Sequence, residues 1–202
     1  MKKILAFTLL FIVLTSHELF LKTDSYFLKS NEASELYLYN GTFDVSENSI
    51  TRDRIIKAQI LGPDYKFYPK DVDYYDNNNV TYLKFISGSP GTYVAGISTL
   101  PREIELSASE FTEYLEHEGL WNTIEDRKTK KISDQPALEK YSKHVKAIFQ
   151  VESSTKNDYA NVLGYPIEFI PLSNPYEAGV GDVITLKLLL KGAPLPDQVV
   201  HI

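Results

Sequence analysis

His17 is the residue best placed to do chemistry. It follows a short leader, and cleavage after Ser16 makes it the first residue of the mature chain. Its α-amine and imidazole then form a two-nitrogen chelate for nickel(II) or copper(II), which accept nitrogen-rich tetragonal coordination, and copper leads on raw affinity. Glu18 or Asp24 offers an oxygen ligand, and spacing does not choose between them. The plainer reading is that His17 only follows the cleavage site. The other histidines offer less. His117 sits among Glu113, Glu116 and Glu118 and reads as part of a solvated face. His144, in Tyr141-Ser-Lys-His-Val-Lys146, reads as a hydrogen-bonded structural residue where one element gives way to another. His201 lies in the closing segment and carries no signal.

Nothing in the sequence points to catalysis. No H-E-x-x-H, phosphate-binding loop, G-x-S-x-G or dinucleotide-binding glycine pattern occurs. Acidic pairs such as Glu103/Glu105 and Glu116/Glu118 are too common on an acidic chain to single out a glycosidase pair. The chain is therefore read as a non-enzyme.

The elements that must position these residues are mostly strands. Glu35–Tyr39, Ile55–Leu61, Tyr65–Tyr68, Val80–Ile86, Thr92–Ser98 and Glu103–Leu106 are short segments separated by turn chemistry such as Asn40-Gly41 and Gly62-Pro63-Asp64. Their tyrosine, valine and isoleucine content and regular spacing predict an antiparallel, immunoglobulin-like sandwich. Most of the 14 tyrosines fall in these segments and are expected to pair across strands rather than form a ligand platform. The period then changes. Ser107 and Glu110 fit a capping box, and Phe111, Tyr114, Leu115 and Glu118 follow at helical spacing up to Gly119, predicting a helix near Ala108–Glu118. A charged loop is expected at Glu125–Lys131, and a second short helix from Asp134 and Pro136 to about Lys143. Val145–Val151 returns to the sheet. Residues 17–164 thus form one β-sandwich domain with a helical insertion near 108–143. Ile167–Ile170, a strong strand at Val183–Leu190 and an apparent strand at Val199–Ile202 follow. Two or three strands cannot close a core, so residues 165–202 are expected to be the incomplete start of a second β domain.

The N-terminus predicts export. Lys2 and Lys3 precede an apolar run from Ile4 to Leu14, about eleven residues long, too short to span a bilayer and suited to a signal peptide over residues 1–16. A retained anchor is the competing reading. The chain has no cysteine, which excludes both disulfides and a lipid-anchored lipoprotein. Losing Lys2 and Lys3 moves the formal charge from −6 to −8. Such a protein is a poor partner for nucleic acid or an anionic membrane surface, and no later run is long enough to span a membrane.

Several segments together resemble one family. His17-Glu-Leu-Phe-Leu21, Leu36-Tyr-Leu-Tyr-Asn-Gly-Thr-Phe43, Phe111-Thr-Glu-Tyr-Leu-Glu-His-Glu-Gly-Leu120 with Arg127, and Gly164-Tyr-Pro-Ile-Glu-Phe-Ile-Pro-Leu-Ser-Asn-Pro175 are similar to the domain-of-unknown-function 4198 family (DUF4198). Gly181-Asp182 and Lys191-Gly-Ala-Pro-Leu195 resemble its second, prealbumin-like β module. The resemblance covers nearly the whole chain. It departs at Phe20 or Leu21, where many members carry an aromatic, often tryptophan. The resemblance implies a periplasmic component of nickel or cobalt uptake, working with a membrane transporter. The chemistry of a histidine-poor, cysteine-free chain fits a second class as well: a structural or interaction module at the cell surface that binds protein or glycan through its sandwich.

Overall fold

The structure is a computed structural model, and it describes residues 18–153 and 158–200. His17 and the signal peptide expected over residues 1–16 lie outside the described residues. The strands are β1 (Glu18–Lys22), β2 (Phe27–Leu28), β3 (Ala33–Gly41), β4 (Ile55–Gly62), β5 (Tyr65–Phe67), β6 (Tyr74–Asn77), β7 (Val80–Ile86), β8 (Gly91–Thr99) and β9 (Arg102–Leu106). Two helices follow, α1 (Ala108–His117) and α2 (Trp121–Thr129). The chain continues through β10 (Ala137–Tyr141), β11 (His144–Val151), β12 (Ile167–Pro171), β13 (Leu186–Leu190) and β14 (Ala193–Pro194).

Two sheets face each other. One has the order β1-β3-β7-β6 and the other β2-β11-β8-β4-β5. All the pairings are antiparallel except β2 with β11, which is parallel. The chain thus leaves the first sheet after β1 and adds a short parallel strand to the edge of the second. With this strand order the sandwich is immunoglobulin-like, as the sequence predicts. Alternation along each strand fills the core. Leu36 and Leu38 of β3, with Leu83 and Phe85 of β7, face Ile60, Tyr93, Ile97 and Phe149. The rings of Tyr93 and Phe149 stack at 5.4 Å, and Phe85 meets Phe149 at 5.5 Å. Gly62 is required here, because a Cβ at that position would sit 2.4 Å from the Tyr93 ring.

The outer face of β8 is buried too. Val94 packs with Leu163 and Tyr165, which lie on the sheet, and a Cβ on Gly96 would meet Leu163 at 2.3 Å. Leu163 O accepts hydrogen bonds from Gln59 Nε2 at 2.8 Å and Lys57 Nζ at 2.5 Å. The β12-β13-β14 sheet continues from this docked segment.

The insertion joins β8 to β11, the last two strands of the sandwich. Ser107 caps α1, with Glu110 returning the bond to the Ser107 N–H at 2.9 Å. Gly119 stops the helix at φ +68°. The second helix is not where the sequence pattern puts it. Residues 121–129 form α2 in place of much of the expected charged loop, and Ala137–Tyr141 forms β10, paired with β9. The reason is visible in side-chain spacing. Ile124 and Arg127, three residues apart, are buried on one face of α2. The charges on the other face pair along the helix, Glu125 with Lys128 and Asp126 with Lys130. In β10 the alternation is of period two, and Pro136 precedes a strand instead of opening a helix. Three smaller corrections concern strand ends, the first at Asp76–Asn79, which the sequence pattern reads as a loop. Asp76 and Asn77 belong to β6, which turns into β7 through Asn78-Asn79, with Asn78 at φ 51°. The strand expected from Val183 begins only at Leu186. Val199 and Val200 are not in a strand, and His201 and Ile202 lie outside the described residues.

Candidate functional site

Loops at one end of a sandwich are free of the packing that fixes its strands, and they carry most binding sites on such folds. Here one end gathers the start of β1, the 42–54 connection from β3 to β4, and the base of the insertion. Glu18 opens β1 opposite Gly41, the last residue of β3. The loops are laced together by hydrogen bonds. Leu100 N–H donates to Arg54 O at 2.7 Å, Thr99 N–H to Lys143 O at 3.0 Å, and Lys143 N–H to Thr99 Oγ1 at 2.9 Å.

A cavity of about 410 Å³ lies between these loops, with Asn40, Ser49, Arg54, Arg102, Tyr141 and Lys143 among its lining. Among the described lining residues three are cations and none is a carboxylate. Arg54 is 7% exposed; its Nη2 donates to Leu100 O at 3.3 Å, while its buried Nε makes no hydrogen bond. Lys143 Nζ donates to Asn40 Oδ1 at 3.1 Å. Burial pushes the Lys143 ammonium below its ordinary range and the Arg54 charge adds to this, while Glu18 opposes both. Arg102 and Tyr141 face each other at the open end of the β9–β10 ladder. Asp53 lies close enough to feel Arg102; its carboxyl is held below the usual range first by a bond from Thr51.

The sequence-predicted residues fall as follows. His17 lies outside the described residues, and Glu18 opens β1. Asp24 lies past the opposite end of β1, which at about 3.3 Å per residue is more than 13 Å long, and it accepts a hydrogen bond from the Tyr37 hydroxyl. Glu18 and Asp24, the two oxygen ligands weighed for His17, thus lie at opposite ends of β1. His117 is exposed and rests on Glu118 at 3.0 Å, a solvated face as expected. His144 is structural: Nδ1 is 2.8 Å from Ser98 Oγ, Nε2 is 3.0 Å from Ser142 Oγ, and burial lowers its pKa. Among the described residues no cluster of three or more histidine, aspartate or glutamate side chains is placed to hold a metal, and no helix is long and apolar enough to cross a membrane.

The sequence reading missed Arg54, Arg102 and Lys143. They are far apart in the chain, none belongs to a motif, and only the pairing of β8, β9, β10 and β11 brings them to one end.

The tyrosines form the other surface feature. On the outer face of the first sheet Tyr37 meets Tyr82 at 4.9 Å and Tyr82 stacks on Tyr75 at 4.7 Å. Lys84 covers Tyr75 at 4.5 Å, and Lys22 lies over Tyr39 and Phe43 at 4.6 Å and 4.2 Å. This is the cross-strand pairing expected of them.

The pattern of the family described as Domain of unknown function (DUF4198) matches residues 14–202. No curated protein and no solved structure matches the chain.

Proposed function

The chain belongs to the DUF4198 family, and from this membership and the geometry of the loop end we propose an exported, non-catalytic periplasmic protein that handles a transition metal in nickel or cobalt uptake. The observation that carries this reading is the start of β1. Glu18 enters the sandwich at the loop end, opposite Gly41 and near enough to act on Lys143 of the polar cavity, and the chelate proposed is the amine and imidazole of a mature chain that begins at the preceding residue, His17. Both nitrogens must be deprotonated to ligate, so binding weakens as pH falls. The metal is cargo, passed on to a membrane transporter.

The test has two steps. Mass spectrometry of protein recovered from the periplasm is expected to show residue 17 as the N-terminus. Titration calorimetry with nickel and copper on that protein is expected to show binding that is lost in His17→Ala and in a form with one extra N-terminal residue. Unchanged affinity in both variants removes His17 as a ligand.

A second reading is favoured by the aromatic row Tyr37–Tyr82–Tyr75 on the outer sheet face: a surface module that binds protein or glycan. Its test is binding to cell-surface glycans and proteins, which Tyr82→Ala should abolish without lowering the melting temperature by more than a few degrees.

A further inference from the structure

We propose that the cavity between the 42–54 connection and the base of the insertion binds a small hydroxylated carboxylate, such as a hydroxy acid or an acidic sugar. Charge supports this first. The whole chain is acidic, at −6, yet among the described residues this cavity is lined by Arg54, Arg102 and Lys143 and by no carboxylate. From outside the lining Glu18 acts on Lys143, and Asp53 interacts with Arg102. Arg54 is buried and Lys143 half-buried, and the Arg54 charge acts on the Lys143 ammonium against the opposing pull of Glu18.

The second support is Arg54 itself. A guanidinium has five N–H donors, and a buried one is costly to leave unmet. Arg54 is more than nine-tenths buried and its Nε is unpartnered. A guanidinium fork suits the two oxygens of a carboxylate. The remaining lining supplies amides and hydroxyls, including Asn40, Asn48, Ser49 and Thr51, which match the hydroxyl groups of a polyol and give an apolar ligand nothing to hold. A volume of about 410 Å³ falls in the ordinary range for a small-molecule site.

This site is independent of the metal reading, because it uses no residue of the His17 chelate. The experiment is calorimetry on the mature protein without added metal, using citrate, glucuronate, glucose and inorganic phosphate. Citrate or glucuronate is expected to bind, glucose is not, and phosphate is expected to bind at least tenfold more weakly than the better carboxylate. Arg102→Ala, at an exposed position that the fold tolerates, and Lys143→Gln should each weaken carboxylate binding at least tenfold. Arg54→Lys, which keeps the charge and loses the fork, should do the same with the melting temperature checked separately. The proposal is overturned if neither carboxylate binds, if Arg102→Ala binds as well as the parent, or if phosphate binds as tightly, which would mark an adventitious ion only.

Discussion

At the scale of single residues, Glu168 does the most to hold the second part of the chain to the sandwich. Its side chain is buried, and burial alone would raise its pKa. Bonds from Leu163 N–H at 3.0 Å, Gly164 N–H at 2.9 Å and Lys146 Nζ at 3.1 Å outweigh that and hold it below the ordinary 4.5. Lys146 on β11 is itself pushed down by burial, with Glu168 opposing. Glu168→Ala leaves that ammonium buried without its counter-charge, and should cost about 3 kcal/mol in urea unfolding. The pH sign follows from the direction. A carboxyl with a depressed folded pKa contributes stability that is fully present above 4.5 and lost as pH falls through its folded value. His144 acts in the same sense at higher pH. Its folded pKa lies below 6.5, so its contribution is present above that value and fades as pH drops below it. Unfolding midpoints followed between about pH 2 and pH 8 should therefore fall on the acid side. His144→Gln should flatten the upper part of that fall and Glu168→Gln the lower part.

At the scale of elements, the insertion is a small unit with its own pin. Arg127 of α2 donates from Nη2 to Ile132 O at 2.9 Å and Gln135 O at 2.6 Å, and lies 4.9 Å over the Phe111 ring of α1. It thus ties both helices to the chain leading into β10. Arg127→Ala should cost about 2 kcal/mol locally through lost packing and hydrogen bonds. Amide hydrogen exchange is the right measurement, with faster exchange expected in α1, α2 and β10 and little change in β7 or β8. Equal loss of protection across the sandwich would mean that the insertion is not a separate unit. The sequence showed α1 through its capping box, since both partners lie within one turn. It hid α2, because a run of seven mostly charged residues reads as loop until Ile124 and Arg127 are seen sharing a buried face.

At the scale of the whole molecule, the docked segment covers a sheet face that would otherwise expose Val94 and Ile148 to water. Tyr165 stands at the centre of that contact, 2% exposed, with its hydroxyl 3.4 Å from Lys57 O. Tyr165→Ala should cost about 3 to 5 kcal/mol, the range for emptying a large aromatic site. Because the contact joins two parts of the chain, protection should fall in β8 and β12 together. A change confined to β12 would show that the sandwich does not depend on its cover.

The sequence by itself determined six strands of the sandwich, β3, β4, β5, β7, β8 and β11, and not β1, β2 or β6. Period-two alternation, β-branched and aromatic content, and turn pairs such as Asn40-Gly41 and Pro63-Asp64 are local signals that act within a few residues. The capping box of α1 and the structural character of His144 were legible for the same reason. Only the tertiary structure decided that Arg54, Arg102 and Lys143 share one cavity, and that Leu163 and Tyr165 cover β8. These contacts join residues far apart in the chain, and their positions are fixed by strand order and by the absence of a Cβ at Gly96, where a side chain would collide with Leu163. No local pattern encodes such a meeting, because its free energy is gained only after the sheets have paired.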